Sequence, residues 1–206
     1  MSKSFNSGKT GKSTLNDKTY RLAGLGILTA IIIVLQIIST FVKFGPFSIT
    51  LSLIPIIVGA AIYGIGAGAY LGAVFSAVVV IMCITGGDIG GAMVWNANPI
   101  MCLILCMVKG TLAGFEAGVH YKALENTNKI LASVAAALVS PIVNTGIFLL
   151  GLVIFFKDTL MLWAGGTDVL YYIIFGLTGI NFLVELAVNV VLSPVIVRIV
   201  QVVKKK

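Results

Sequence analysis

The chain has 206 residues, of which 59% are hydrophobic and only 10% charged, with a formal net charge of +7 and a mean hydropathy of +1.10. Soluble domains carry roughly 25% charged residues, so a chain this apolar has lipid as its solvent, and its length leaves no room for a separate soluble catalytic domain. The basic residues gather at the two ends and in one loop, not on a folded face, which excludes a nucleic-acid surface and reads as a topology signal.

Residues 1–19, MSKSFNSGKTGKSTLNDKT, are polar, basic and rich in Ser, Gly and Lys. They read as a disordered cytosolic tail, with no cleavable signal peptide. Gly11-Lys12-Ser13 imitates the end of a phosphate-binding loop, but the glycine needed five places before Gly11 is Asn6, and no strand leads into it.

A membrane domain is expected over residues 20–200, followed by a basic cytosolic tail at 201–206. A spanning helix needs about 20 mostly apolar residues, and six such segments can be read. They run from about Leu22 to Val42, Ile49 to Tyr63, Gly66 to Thr85, Pro99 to Tyr121, Ile130 to Phe156 and Tyr171 to Val200. The second is short and interrupted by Pro55, so it is tilted, kinked or only partly spanning. The fold class is therefore an all-α integral membrane protein of about six transmembrane helices.

With the N-terminus inside, Lys3, Lys9, Lys12, Lys18, Arg21, Lys122, Lys129, Arg198, Lys204, Lys205 and Lys206 are cytosolic, while Lys43 and Lys157 lie outside. That asymmetry orients both termini to the cytosol. The long connections Gly86 to Asn98 and Lys157 to Leu170 are then extracellular. Each carries a tryptophan (Trp95, Trp163), glycines and hydrogen-bonding side chains such as Asn96. They read either as an interfacial aromatic belt or as lids over an outward-facing pocket.

Helices in lipid associate through small residues spaced by four. Gly64, Gly68, Gly72 and Ser76 form one such series, Gly110, Gly114 and Gly118 another, and Gly26 with Ala30 a third. The first two read mainly as internal packing. The third lies near the cytosolic side and is the best candidate for a partner's helix.

Charged and amide groups inside a span are costly, about 2.5–3.5 kcal/mol for a central charge, so each needs a reason. Lys109 and Glu116 share a face of the fourth span, Asn144 follows Pro141 in the fifth, and Asn181, Glu185 and Asn189 form one stripe of the sixth. Either Lys109 pairs structurally with Glu185 or Glu116, or Lys109, Asn144, Asn181 and Glu185 hold a small polar ligand. Depth along the sixth span makes Asn189 the weaker pocket candidate. Glu116 and His120 read as interfacial.

Cys102 and Cys106 are spaced four apart, as metal ligands on a helix are, but no His or carboxylate accompanies them in sequence. With Cys83 they read as small apolar packing residues; no metal and no cofactor is expected. There is no Ser/His/Asp set, no HExxH and no nucleotide-binding motif. The chain is not expected to be an enzyme.

Taken in order, GILTAIIIVLQ (Gly26 to Gln36), ITLSLIPIIVGAAIYGIGAGAYLGAVF (Ile49 to Phe75), KGTLAGFEAG (Lys109 to Gly118), SPIVNTGIFLLG (Ser140 to Gly151) and LSPVIV (Leu192 to Val197) resemble the substrate-binding S component of energy-coupling factor (ECF) transporters. The family's two-alanine spacing in its first helix falls on Gly26 and Ala30, met here only in its small-residue sense. The resemblance implies a multi-pass protein of a bacterial plasma membrane that captures a water-soluble vitamin or similar micronutrient from outside. It further implies docking through Gly26 and Ala30 on a T component driven by two cytosolic ATPases, with the subunit toppling in the bilayer to release its cargo. FGPFSITLSLIP looks most like pantothenate-type members, while riboflavin, folate, thiamine and cobalamin stay open. The alternative is an independent ion-coupled transporter with Glu185 as its coupling carboxylate, which predicts an internal repeat that the sequence does not display.

Overall fold

The computed structural model describes residues 9–41, 43–44, 47–48 and 50–204. The first eight residues and the last two, which belong to the two expected tails, lie outside the described residues. Helix α1 runs Lys9–Ser39, and its apolar part, Lys18–Ser39, is long enough to cross a membrane. It therefore begins inside the stretch expected to be a tail. A two-rung antiparallel ladder follows, β1 (Lys43–Phe44) pairing Lys43 with Ser48 and Phe44 with Phe47 of β2 (Phe47–Ser48).

Helix α2, Leu53–Tyr63, has eleven residues, about 16 Å at 1.5 Å per residue against a hydrocarbon layer of about 30 Å. It is only partly spanning. Leu53 and every residue from Pro55 to Ala61 are buried, because α2 packs against all five of the long helices. Those are α1, α3 (Ile65–Thr85), α5 (Pro99–Leu124), α6 (Lys129–Phe155) and α9 (Gly179–Lys204). Five helices are thus long and apolar enough to cross, with the second apolar segment, as α2, filling the middle of the bundle. Their outer faces carry Ile27, Val34, Ile81, Ile104, Leu150, Ile154 and Val191, all exposed; such a surface is stable only against acyl chains.

Between α2 and α3 the chain reverses at Gly64, whose φ of +93° lies in a region that suits only a residue without a side chain. The next contact is closer still. A Cβ on Gly68 would collide with the carbonyl of Gly114, and one on Gly72 with the carbonyl of Gly110. The two small-residue series of the sequence therefore meet each other, backbone against backbone, in an antiparallel α3–α5 crossing. At Gly24 a Cβ would strike the Tyr63 hydroxyl, so Gly24 is the small residue that seats α1 on α2. Gly26 has open space around it, and both Gly26 and Ala30 are exposed.

The two long connections are helical, which composition did not reveal. Asp88 caps α4 (Ile89–Ala97) by accepting from the Gly91 amide at 2.7 Å. Asn98 then ends α4 and starts α5, accepting from Met101 N at 3.1 Å with Pro99 in the first turn. On the other side α7 (Lys157–Ala164) and the short α8 (Val169–Tyr171) lead through a π-helical stretch, Tyr172–Thr178, into α9.

Candidate ligand-binding site

The bundle is packed differently in its two halves. In the half away from α4, Ile57, Ala61, Ala117, Tyr121, Ala132, Ala136, Ile196 and Val200 make a continuous buried cluster. Small side chains draw the helices together there and leave the middle filled. In the half beneath α4, the long helices diverge around a cavity of about 90 Å³.

Its lining is mixed. Phe75, Phe148 and Phe182 supply aromatic surface, and Cys83, Cys102 and Cys106 supply thiols. The polar groups are Gln36, Thr50, Asp88, Lys109, Asn144, Thr145 and Glu185. They come from α1, the α1–α2 connection, the start of α4, and α5, α6 and α9.

Neither structural pairing considered for Lys109 is made. Glu116 stands 3.5 Å from His120 Nδ1, on a partly exposed face. The Lys109 ammonium instead lies 4.5 Å from the centre of the Phe148 ring. That is within cation–π range, and among the described residues no carboxylate lies within ion-pair distance of it.

Glu185 is 95% removed from exposure, and its Oε1 accepts the Thr50 amide at 2.6 Å. The chain at Thr50 is not helical, so this amide would otherwise be a bare donor at membrane depth, which lipid does not tolerate. Nearby, the Ser52 hydroxyl is 3.1 Å from Gln36 Oε1 and donates to it. The second Glu185 oxygen, Oε2, and Asn144 Oδ1 are both buried and have no hydrogen-bond partner among the described residues. Buried polar atoms are ordinarily satisfied, and the residues of both line this polar-walled cavity.

Of the residues singled out from sequence, Lys109, Asn144 and Glu185 come together here. The side chain of Asn181 lies outside the described residues. Asn189, expected to be a weaker candidate, is buried below the cavity and donates to the Glu185 carbonyl at 2.7 Å. Trp95 and Trp163 do not line the cavity but pack on the apolar cluster around Val94, Leu152 and Leu160. The Trp163 indole N–H points to Met93 Sδ at 3.2 Å, tying α7 to α4 as a roof. Asn96 is exposed on that roof. Sequence reasoning passed over Gln36 and Thr50. Gln36 left a readable signal, since an amide in an otherwise apolar first span calls for a partner. Thr50 left none, because it acts through its backbone.

A family model described as the substrate-specific component of ECF transporters matches residues 20–197, well over half the chain. No curated protein matches the sequence.

Proposed function

The chain belongs to the family of ECF transporter substrate-specific components, multi-pass membrane proteins, and from that premise we propose that its cavity captures an anionic, water-soluble vitamin of the pantothenate type for delivery through a T component and its ATPases. The observation that carries this reading is the asymmetry of the bundle: a polar-walled cavity in one half and a solid core in the other. A conduit needs a path through both halves; a capture site needs an entrance on one side. The positive-inside count puts the α4 side outside, where cargo is met.

Lys109 is the group that would hold a carboxylate, with its charge already steadied on Phe148. Asn144 Oδ1 and Glu185 Oε2 offer acceptors for hydroxyl and amide donors, and Phe75 and Phe182 flank the apolar part. Few ligand pockets are as small as about 90 Å³; the usual range is roughly 300–1,000 Å³. A vitamin therefore enters only if the α4–α7 roof lifts, and that roof is fastened largely by apolar packing and the Trp163–Met93 contact. The exposed Gly26–Ala30 face of α1, open to a neighbouring helix, supports docking on the T component.

The test is a thermal-shift screen of the detergent-purified chain against pantothenate, riboflavin, folate, thiamine, biotin and cobalamin, without ATP or sodium. Strong stabilisation by pantothenate alone is the expected result. Stabilisation by a cation such as thiamine would overturn the anionic assignment, and ligand uptake by the isolated chain under an ion gradient would favour ion-coupled transport through Glu185.

A further inference from the structure

Cys102 and Cys106 stand one turn apart on α5, and α3 brings Cys83 against both. The three sulfurs are buried, free of disulfides and within 4.8 Å of one another. Three thiolates bound to one ion at about 2.3 Å place their sulfurs roughly 3.8–4.0 Å apart. Reaching that spacing takes side-chain adjustment of less than about 1 Å.

Buried thiols usually pack as small apolar groups, but the surroundings of these three differ from an apolar core. All three border the polar cavity, together with Lys109 and Asp88. Lys109 follows Cys106 by three residues and so lies one turn along the same face; its charge offsets the net negative charge of three thiolates around a mono- or divalent ion. From above, the α4 backbone closes on the cluster at Gly91. A Cβ there would lie 2.5 Å from Cys83 Sγ and 3.1 Å from Asp88 Oδ1, so thiol and carboxylate share the space in front of one glycine. An oxygen donor and an open cavity beside three sulfurs are what a three-ligand site with a free fourth position needs.

We infer that Cys83, Cys102 and Cys106 form a trithiolate site for a single thiophilic d¹⁰ cation, of the zinc or copper(I) class, in the wall of the cavity. On binding, each thiol releases its proton to solvent and gives a sulfur lone pair to the metal. The site does not depend on which organic ligand the cavity takes.

Cadmium(II) is the probe, titrated into the detergent-purified full chain in a phosphine reductant. The expected result is saturation at one ion per chain with ultraviolet thiolate-to-cadmium charge-transfer absorption, and loss of maleimide labelling at all three cysteines when cadmium is present. Cys83→Ser, Cys102→Ser and Cys106→Ser should each weaken binding by roughly tenfold or more, and the triple variant should lose the absorption altogether. Absence of charge-transfer absorption while the three thiols are reduced would overturn the site, as would equal binding by the triple variant. If a serine variant fails to fold, the labelling experiment on the unsubstituted chain decides: unprotected thiols at saturating cadmium reject the proposal.

Discussion

Glu185, in the last helix, accepts the backbone amide of Thr50 from 135 residues earlier in the chain, at 2.6 Å. This bond anchors the non-helical approach to α2 inside the bundle, and it makes the carboxylate a structural acceptor as well as a wall of the cavity. Replacement by Gln keeps an oxygen in place for Thr50, whereas Ala leaves the amide unsatisfied at a cost of about 1–3 kcal/mol. Glu185→Gln should therefore fold and melt close to the unsubstituted chain, and Glu185→Ala should melt several degrees lower. If both melt alike, the bond contributes nothing to stability. If Glu185→Gln folds and binds ligand but abolishes uptake by the isolated chain under an ion gradient, the carboxylate has a coupling role.

Lys109 has the aromatic face of Phe148 beside it and no carboxylate within ion-pair range among the described residues. Lys109→Ala should weaken an anionic ligand by about tenfold or more with little change in the melting temperature of the ligand-free chain. Lys109→Arg should recover part of that affinity. An unchanged dissociation constant in Lys109→Ala, measured by titration calorimetry, would remove Lys109 from the site.

The glycines divide into two kinds. At Gly72 an added side chain meets the Gly110 carbonyl, while at Gly26 it meets nothing. Gly72→Ala should cost about 1–3 kcal/mol by overpacking, and Gly72→Leu should not yield a monodisperse protein. Gly26→Leu and Ala30→Leu should leave folding and ligand affinity intact while blocking ATP-dependent uptake in reconstituted vesicles. Equal loss of binding and uptake would show that this face of α1 is not a docking surface.

Asp88 holds the first turn of α4 over the cavity. Asp88→Ala removes that cap, worth about 1 kcal/mol, and should loosen the roof. The expected outcome is faster ligand entry and a faster ligand off-rate by stopped-flow fluorescence. An off-rate unchanged from the parent would mean that the roof is not held by its capped end.

Much of this arrangement was legible in the sequence because lipid imposes simple rules. Runs of apolar residues had to be helices, and glycines spaced by four had to be contacts; Gly68 and Gly72 against Gly114 and Gly110 meet that expectation. Lys109, Asn144 and Glu185 were visible as groups too costly to bury without purpose, and they do converge. What stayed hidden depends on distant pairing. Nothing local to Thr50 reports a bond to Glu185, and nothing near Cys102 and Cys106 reports that Cys83 will join them. The roof helices were missed for another reason. α4 is nine residues long and rich in glycine, so its hydrophobic pattern is too short to register, and only Asp88 and Asn98-Pro99 marked its ends.

The short α2 touches all five long helices and has no exposed residue. Its length is therefore invisible to the surrounding acyl chains. Reconstitution into thinner or thicker bilayers should strain the outer helices alone, each by a fraction of a kcal/mol per ångström of mismatch, roughly. The cavity is walled by those outer helices and not by α2, so bilayer thickness bears on the binding half of the bundle while the packed core around α2 is spared it.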